Sequence, residues 1–587
     1  MPNITQTEVC FTMMRDDLLK GWTPYQPNLA RLYEERGYWK NEMFIQVFDF
    51  MAERFPDNEA LVGGDQRFTY KQLKEGSKRL ALHFLDMGLR KGDRIVVQLT
   101  NIPEFMFVYF AVQRIGVIPV MCLPQHRYTE VSQIATTAGA IGYITPREAR
   151  GFDYKDLVNE VADLLHMKYK MIAGKGQEVP EGFISINDLL ATPAKDEGND
   201  DYLRQFLPDP HDVCIMLLSG GTTGTPKLIP REYNAYRYVA EESSRELGYN
   251  MYTVQLAVAP VAHNMVLAAP GVQGAYLFGG KVIMSTSPKP ADICRLIQEE
   301  KITHIPMVPA MIIKMLAFEE RTNYDLSSWE IVINGASKLE PALMARVEKE
   351  IGCKVISQFG MSEGNITQTS LFDTPEVIFT TIGMPVAPGE EWKIIDTDDG
   401  HVIAQSVLGG DRTEWVGEPD KPGEIVFRGP YTIRGYFNAP ERNKEAFTED
   451  GYYRSGDIAC MHHSGKGFVI MGRIKDAINR GGEKFSCEEV ENAVFEAFPG
   501  TIKNCALVGM PDAVLGEKAC LYVQMMNADA TLTLEEVVAA VETKLAKFKL
   551  PERIEIREHL PETNVGKIDK KALKAEIAAI LKEEQGK

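Results

Sequence analysis

The sequence predicts a multi-lobed α/β protein. A large N-terminal domain, built from two α/β lobes and a small β-rich lobe, precedes a smaller α+β C-terminal domain. Three observations predict it. Short apolar runs alternate with helically spaced segments through most of the chain. From about Glu390 to Phe468 the pattern changes to short strands and many glycines. After Gly472, helical and strand patterns alternate again over a stretch of domain size. The 587 residues are too many for one ordinary core, since domains cluster near about 150 residues.

Phe44 to Phe55 and Tyr70 to Met87 carry apolar residues at helical spacing, and Arg94 to Leu99 reads as a buried strand. Further strands are predicted at Val213 to Leu218, Gln255 to Ala259, Lys281 to Met284 and Ile331 to Ile333. Each is followed by a turn and a helical pattern, the mark of a mostly parallel sheet. The polar stretch Thr192 to Asp201 reads as a surface linker between two lobes. The expected boundaries are therefore lobes over about 1–200, 201–389 and 390–474, making a domain 1–474, and a C-terminal domain 475–587. Within the β-rich lobe, Ser406 to Pro422 reads as a solvated insertion. The C-terminal domain is expected to contain helix Glu488 to Phe498, strands Cys505 to Val508 and Cys520 to Met525, and helix Leu534 to Leu545.

Composition narrows the function classes. Apolar residues make up 44% and charged residues 25% of the chain, ordinary globular values. The formal net charge of −18 argues against nucleic acid as a partner, because phosphates are gripped mainly by Lys and Arg. Nine cysteines are scattered with no Cys-x-x-Cys spacing, so neither a zinc site nor a redox pair is expected, and a reducing cytoplasmic setting is. The N-terminal stretch has no basic start followed by an apolar run, and no segment is apolar and long enough to span a membrane.

The first chemically informative segment is Ser219-Gly-Gly-Thr-Thr-Gly-Thr-Pro-Lys-Leu-Ile-Pro-Arg231, directly after a predicted strand. Gly220, Gly221 and Gly224 let backbone amides approach a phosphate closely. Ser219, Thr222, Thr223 and Thr225 add hydroxyl donors, and Lys227 adds a positive charge. The glycine spacing and the residue after Lys227 differ from the Walker pattern. A Gly/Thr surface turn would look the same in isolation.

Five further segments accompany it: NGASKLEP at Asn334 to Pro341, QFGMSEG at Gln358 to Gly364, YYRSGD at Tyr452 to Asp457, GRIKDAINRGGEK at Gly472 to Lys484, and NVGKIDK at Asn564 to Lys570. Together the six, in this order, resemble the adenylate-forming superfamily of acyl-CoA synthetases, adenylation enzymes and luciferases. The resemblance implies ATP-dependent activation of a carboxylic acid as an acyl-adenylate. It assigns Mg²⁺ to Glu363, a ligand type suited to that hard cation, phosphate contacts to Ser219–Gly224, Lys227 and Ser362, and a nucleotide contact to Gly360. It further implies an adenine slot from Gly335, Ala336 and Ser337 with Phe359 stacking on the base, and ribose contacts from Asp457 and Arg473. Lys567 would stabilise charge between the acyl carboxylate and the α-phosphate. Lys475 would lie at the hinge of a mobile C-terminal domain, whose rotation would exchange Lys567 for Gly481, Gly482 and Lys484 beside a thiol entrance.

The segment Ala259 to Gly271 (APVAHNMVLAAPG) looks like the aryl-acid branch, which activates 2,3-dihydroxybenzoate or salicylate for siderophore assembly. GPYTIRGYFNAPERN at Gly429 to Asn443 and INRGGEK at Ile478 to Lys484 point the same way. By this resemblance Asn264 pairs with an ortho hydroxyl. His263 beside it shapes the pocket, either as a packed, satisfied histidine or in proton transfer. Two positions depart from the dihydroxybenzoate pattern. Ala269 stands where a serine is usual, and Gln358 where an apolar residue is usual, while Ile366 keeps the wall apolar. Salicylate or another ortho-substituted benzoate is therefore open. The acceptor implied is the phosphopantetheine of a carrier protein in trans, with coenzyme A as the alternative. A P-loop-type ATPase and a non-catalytic nucleotide- or acyl-binding protein are the rival readings.

Overall fold

The computed structural model describes residues 18–219, 227–480, 483–512, 515–527, 529–563 and 567–585. Gly220, Gly221, Thr222, Thr223, Gly224 and Thr225 lie outside the described residues. So do Gly481, Gly482, the side chain of Lys484, and the segment 564–566 before Lys567.

Four principal sheets organise the chain. The first has nine strands in the order Met384–Pro385, Ile366–Gln368, Lys354–Gly360, Ile331–Asn334, His304–Met307, Val254–Ala257, Lys281–Met284, Glu59–Gly63 and Gln66–Thr69. Its six central strands are parallel. The second has seven strands, with Arg94–Val97 near its middle and Val213–Leu218 and Leu228–Glu232 at one edge. The third is a six-stranded antiparallel sheet spanning Glu391 to Arg473. The fourth, five-stranded, holds the C-terminal segment from Ala477 to Ile556 and is flanked by helices Cys487–Ala497 and Lys570–Gln585.

Local chemistry explains the elements that the sequence predicts most sharply. Helix Tyr70–Met87 begins at Thr69, whose hydroxyl accepts from Gln72 N while the Gln72 side chain returns to the Thr69 amide, and it stops at left-handed Gly88. Parallel strands such as Ile331–Asn334 are buried on both faces, so they read as continuous apolar runs rather than alternating ones. Helix Pro103–Ile115 is buried all round between the lobes.

The sheets depart from the expected lobes in one respect. The hairpin Glu59–Thr69 joins the nine-stranded sheet, whereas Val213–Glu232 completes the seven-stranded one. Both sheets therefore draw strands from either side of the expected boundary near residue 200. Ser406 to Pro422 is also more than a solvated insertion. Trp415–Gly417 pairs with Ala404–Ser406, and Arg412 forms an ion pair with Glu246 at 2.6 Å. A three-residue strand is too short to show a period among charges and glycines. The helix expected over Leu534 to Leu545 ends at Val541.

Parallel strands deliver their carboxyl ends to one side: Val213–Leu218 runs into Ser219, Ile331–Asn334 into Gly335, and Lys354–Gly360 into Met361. A buried cation joins these ends to the third sheet. Arg231, 1% exposed, donates from Nη1 to the Ser362 carbonyl and from Nη2 to the Tyr431 carbonyl, both at 2.7 Å. Ile433 N donates to Glu363 O at 2.8 Å. The approach is close enough to demand glycine: at Gly364 φ is +132°, and an added Cβ would lie 2.0 Å from the Tyr431 carbonyl oxygen. Gly364→Ala is accordingly expected to lower stability by about 1–3 kcal/mol or more. Urea unfolding followed by circular dichroism measures this, and a midpoint equal to wild type would contradict the contact.

Candidate active site

The loop Ser219 to Lys227 is closed at its base. Ser219 N donates to Lys227 O at 3.1 Å, and Lys227 N donates to Ser219 Oγ at 3.2 Å. The hairpin strands on either side hold this base in register. Lys227 therefore enters the cleft at a fixed position, with Nζ 3.3 Å from the Tyr436 hydroxyl and 4.5 Å from the centre of its ring. Tyr436 in turn donates to Glu363 Oε1 at 2.7 Å, and its oxygen lies 3.1 Å from that of Tyr453. Burial lowers the Lys227 pKa. Glu363 opposes the shift, while Arg442, Lys475 and Arg473 add to it. Glu363 is 5% exposed, so its carboxylate is held by hydrogen bonds rather than by bulk water.

On the neighbouring strand ends, Gly335 is buried, and Ala336 and Ser337 lie open on the cleft. Ala336 has φ +69°, a strained conformation that a turn must enforce. A Cβ on Gly335 would lie 2.5 Å from the Met265 sulfur, so Met265 covers this turn directly. Asn334 is buried, and its Oδ1 has no hydrogen-bond partner. Phe359 is half-buried and Gly360 exposed at the end of the next strand. Ser362 is half-buried, with its carbonyl fixed by Arg231.

Asp457 and Arg473 face one another across adjacent strands of the third sheet. Arg473 Nε donates to Asp457 Oδ1 at 3.0 Å. The other carboxylate oxygen, Oδ2, is buried with no partner. Burial raises the Asp457 pKa even though Arg473 and then Lys567 pull it down. A buried, unpaired anion oxygen is costly. Its presence here marks a place for a donor from outside the chain.

Lys567 comes from the C-terminal domain into the same cleft. Its backbone amide donates to Thr563 Oγ1 at 3.2 Å. Its ammonium is near enough to Asp457, Arg473, Glu488 and His263 to shift charge on them or be shifted. Desolvation lowers its pKa and Arg473 adds to this, with Asp457 and Glu488 opposing. Lys475 is exposed on a short turn, Ile474–Asp476, linking strand Phe468–Arg473 of the third sheet to strand Ala477–Arg480 of the fourth.

His263, on which Lys567 acts electrostatically, is flanked by buried apolar residues of the main core, Ala262, Met265 and Val266. His263 caps the short helix Asn264–Leu267, its Nδ1 accepting from Met265 N at 3.3 Å. The surrounding protein, and secondarily Lys567, lower the pKa of His263. The direction favours neutral imidazole. Asn264 is buried, and its Oδ1 has no partner. Ala269 is fully buried, and Ile366 is buried against the Gly360 backbone. Gln358 is directed elsewhere: its amide donates to Gln368 Oε1 at 3.2 Å, and Gln368 donates to Ser243 O at 3.1 Å.

The structure thus groups Ser219, Lys227, Glu363, Asp457, Arg473, Lys567, His263 and Asn264 around one cleft. Four participants were not singled out from sequence: Tyr436, Tyr453, Met265 and Glu488. Tyr436 and Tyr453 lie within motifs already quoted, but a hydroxyl aimed at Glu363 leaves no trace in spacing. Met265 stands inside the His263–Asn264 segment, where an apolar residue reads as ordinary core.

Known proteins resemble this chain over nearly its whole length. Residues 48–437 match the AMP-binding enzyme family, and residues 489–567 match the AMP-binding enzyme C-terminal domain. The chain is 38% identical to the 2,3-dihydroxybenzoate-AMP ligase of Bacillus subtilis (strain 168), over 96% of this chain and 99% of that protein. It is 36% identical to a salicylyl-CoA synthase / salicylate adenylyltransferase of a Streptomyces species, over 94% and 97% respectively. The apo structure of Mycobacterium smegmatis MbtA superimposes with a TM-score of 0.70 at 33% identity, covering 96% of this chain and all of that one. With matches spanning both the large and the C-terminal domain, the chain belongs to the AMP-binding enzyme family.

Proposed function

We propose that this chain activates an ortho-hydroxylated aromatic acid with ATP and passes the acyl group to a thiol. The acid's carboxylate oxygen attacks the α-phosphorus of ATP, and pyrophosphate leaves. The thiolate then attacks the acyl carbonyl, and AMP leaves. The observation that carries the reading is the convergence of Lys567, from the C-terminal domain, on the cleft that holds Asp457, Arg473 and His263. Two anions must meet in the first step, so a site that performs it needs fixed positive charge at the point of contact.

The geometry supports the following individual roles. Asp457 Oδ2, buried and unpaired, would accept from a ribose hydroxyl, and Arg473 would support the sugar. Gly335, Ala336, Ser337 and Phe359 would bound the adenine. Lys227, Ser219, Ser362 and Gly360, with the loop 220–224, would hold the phosphates. Glu363 would hold Mg²⁺, which supplies charge neutralisation at the phosphates; the Tyr436 hydroxyl already orients its carboxylate. Beside His263, Asn264 Oδ1, buried and unpaired, would accept from the ortho hydroxyl of the ring, with His263, Ala269, Ile366 and the backbone of Gln358 around it. Ala269 offers no hydrogen bond, which favours a salicylate-type ring over one that needs a second polar partner there.

Turning about Lys475 would withdraw Lys567 and bring Gly481, Gly482 and Lys484 to the thiol. The acceptor in this reading is a carrier-protein phosphopantetheine acting in trans. Coenzyme A is the second reading, favoured by the name of the Streptomyces relative. A cytoplasmic setting fits ATP as a substrate and the eight described cysteines, all buried and unpaired. Among the described residues no helix is long and apolar enough to cross a membrane.

Acid-dependent ATP–pyrophosphate exchange over benzoates and fatty acids tests the reading. Exchange with salicylate or 2,3-dihydroxybenzoate is expected; exchange confined to alkyl acids would overturn the aryl assignment. Lys567→Ala should reduce the exchange by about 10²–10³-fold while leaving thiolation of a preformed aryl-adenylate near the wild-type rate. Equal loss of both steps would count against the exchange of C-terminal faces. The pH profile has a defined sign. The Lys567 ammonium is the working form, and its pKa is lowered from the ordinary value near about 10.4. The kcat/KM for exchange should therefore fall as pH rises, from below that value. Lys567→Arg should move the alkaline limb upward, and an unmoved limb would remove Lys567 from the step.

A further inference from the structure

The strand pair that carries Asp457 and Arg473 turns at residues 462–467, at the opposite end from the cleft. This turn meets the short helix Pro375–Thr380 beside the edge of the nine-stranded sheet. Ile382 N donates to Phe468 O at 2.9 Å, and Phe468 N donates to Gly383 O at 3.2 Å. At this junction a donor atom from each of Glu376, His462 and His463 lies within 4.8 Å of the other two. His463 Nε2 is 3.4 Å from Glu376 Oε1. The two imidazoles overlap, with ring centroids 3.9 Å apart and 38° between their planes. His462 is buried, and Ser464 meets its Nδ1 with Oγ at 2.8 Å and N at 3.3 Å.

We propose that Glu376, His462 and His463 form a binding site for a divalent transition-metal ion of the zinc class, linking the nine-stranded sheet to the six-stranded one. Two imidazoles and one carboxylate suit zinc and its neighbours, whereas Mg²⁺ and Ca²⁺ take oxygen ligands. His462 Nδ1 accepts from Ser464 N at 3.3 Å, with Ser464 Oγ 2.8 Å away, which leaves Nε2 as the ring nitrogen available to an ion. Tetrahedral ligands about 2.0–2.1 Å from an ion are separated by roughly 3.3 Å, the spacing that Glu376 and His463 already have. Their side chains are 61% and 60% exposed, so both are free to turn toward His462. The remaining coordination position would be open to water.

The test uses the full-length, tag-free protein after chelator treatment and desalting. Titration with ZnCl₂ by calorimetry should show one ion bound per chain, and Zn²⁺ should raise Tm where equimolar MgCl₂ does not. His463→Gln and Glu376→Gln alter exposed side chains, so each should keep the metal-free Tm and the ATP–pyrophosphate exchange of wild type. Each should weaken Zn²⁺ binding by about tenfold or more. Absence of saturable binding below about 1 mM Zn²⁺, or equal affinity in both variants and wild type, would overturn the proposal.

Discussion

The arrangement of the cleft depends on where one buried guanidinium sits. Arg231 bridges the carbonyls of Ser362 and Tyr431, and so fastens the hairpin beside Ser219 to two segments from different sheets. Its face also lies 5.1 Å from the Tyr236 ring, which fills the space beside it with apolar surface. A charged donor making two short bonds inside protein is strong because no water competes for the same carbonyls. With Ser362 held, Glu363 is directed at Tyr436, and Tyr436 in turn meets Lys227. The residues that bear charge are thus positioned by backbone contacts behind them and do not have to find one another.

This placement resolves an apparent mismatch between the whole and the site. A chain of net charge −18 has no general attraction for nucleotides or carboxylates. Lys227, Arg473 and Lys567 nevertheless converge on one cleft, and their mutual repulsion is part of what lowers the lysine pKa values. The strain is tolerable because Glu363, Asp457 and Glu488 lie among the cations. An incoming polyanion relieves the repulsion, and the binding of substrate and the settling of the site become one event.

Much of this organisation was legible in the sequence, for identifiable reasons. Buried parallel strands announce themselves as unbroken apolar runs, so Val213–Leu218 and Lys281–Met284 were found at their observed ends. Asp457, Arg473, Glu363 and Lys567 stand out in the sequence because each sits in an ordered motif, and the fold brings them to one cleft. What escaped depends on separation in the chain. Strand exchange between the first two sheets is a matter of long-range pairing, and periodicity is local. Gln358 looked like a pocket residue, but its amide is engaged by Gln368 ten positions away, on a strand that folds back beside it. Tyr436 and Glu363 are far apart in sequence, and only the fold brings the hydroxyl to the carboxylate.

The lone oxygen of Asp457 has a consequence for nucleotide choice. Oδ2 is buried and receives no donor from the described residues, an unfavourable arrangement for an anion oxygen. A ribose in the assigned position would relieve it through a sugar hydroxyl. A 2′-deoxy or 3′-deoxy nucleotide lacking that hydroxyl would leave the oxygen dry and unpaired, while still burying the same base and phosphates. Sites built around such a group reject the molecule that lacks the matching hydroxyl far more strongly than they reward its presence. Under the proposed ribose role, the buried Oδ2 would in this way act as a sieve against deoxyribonucleotides.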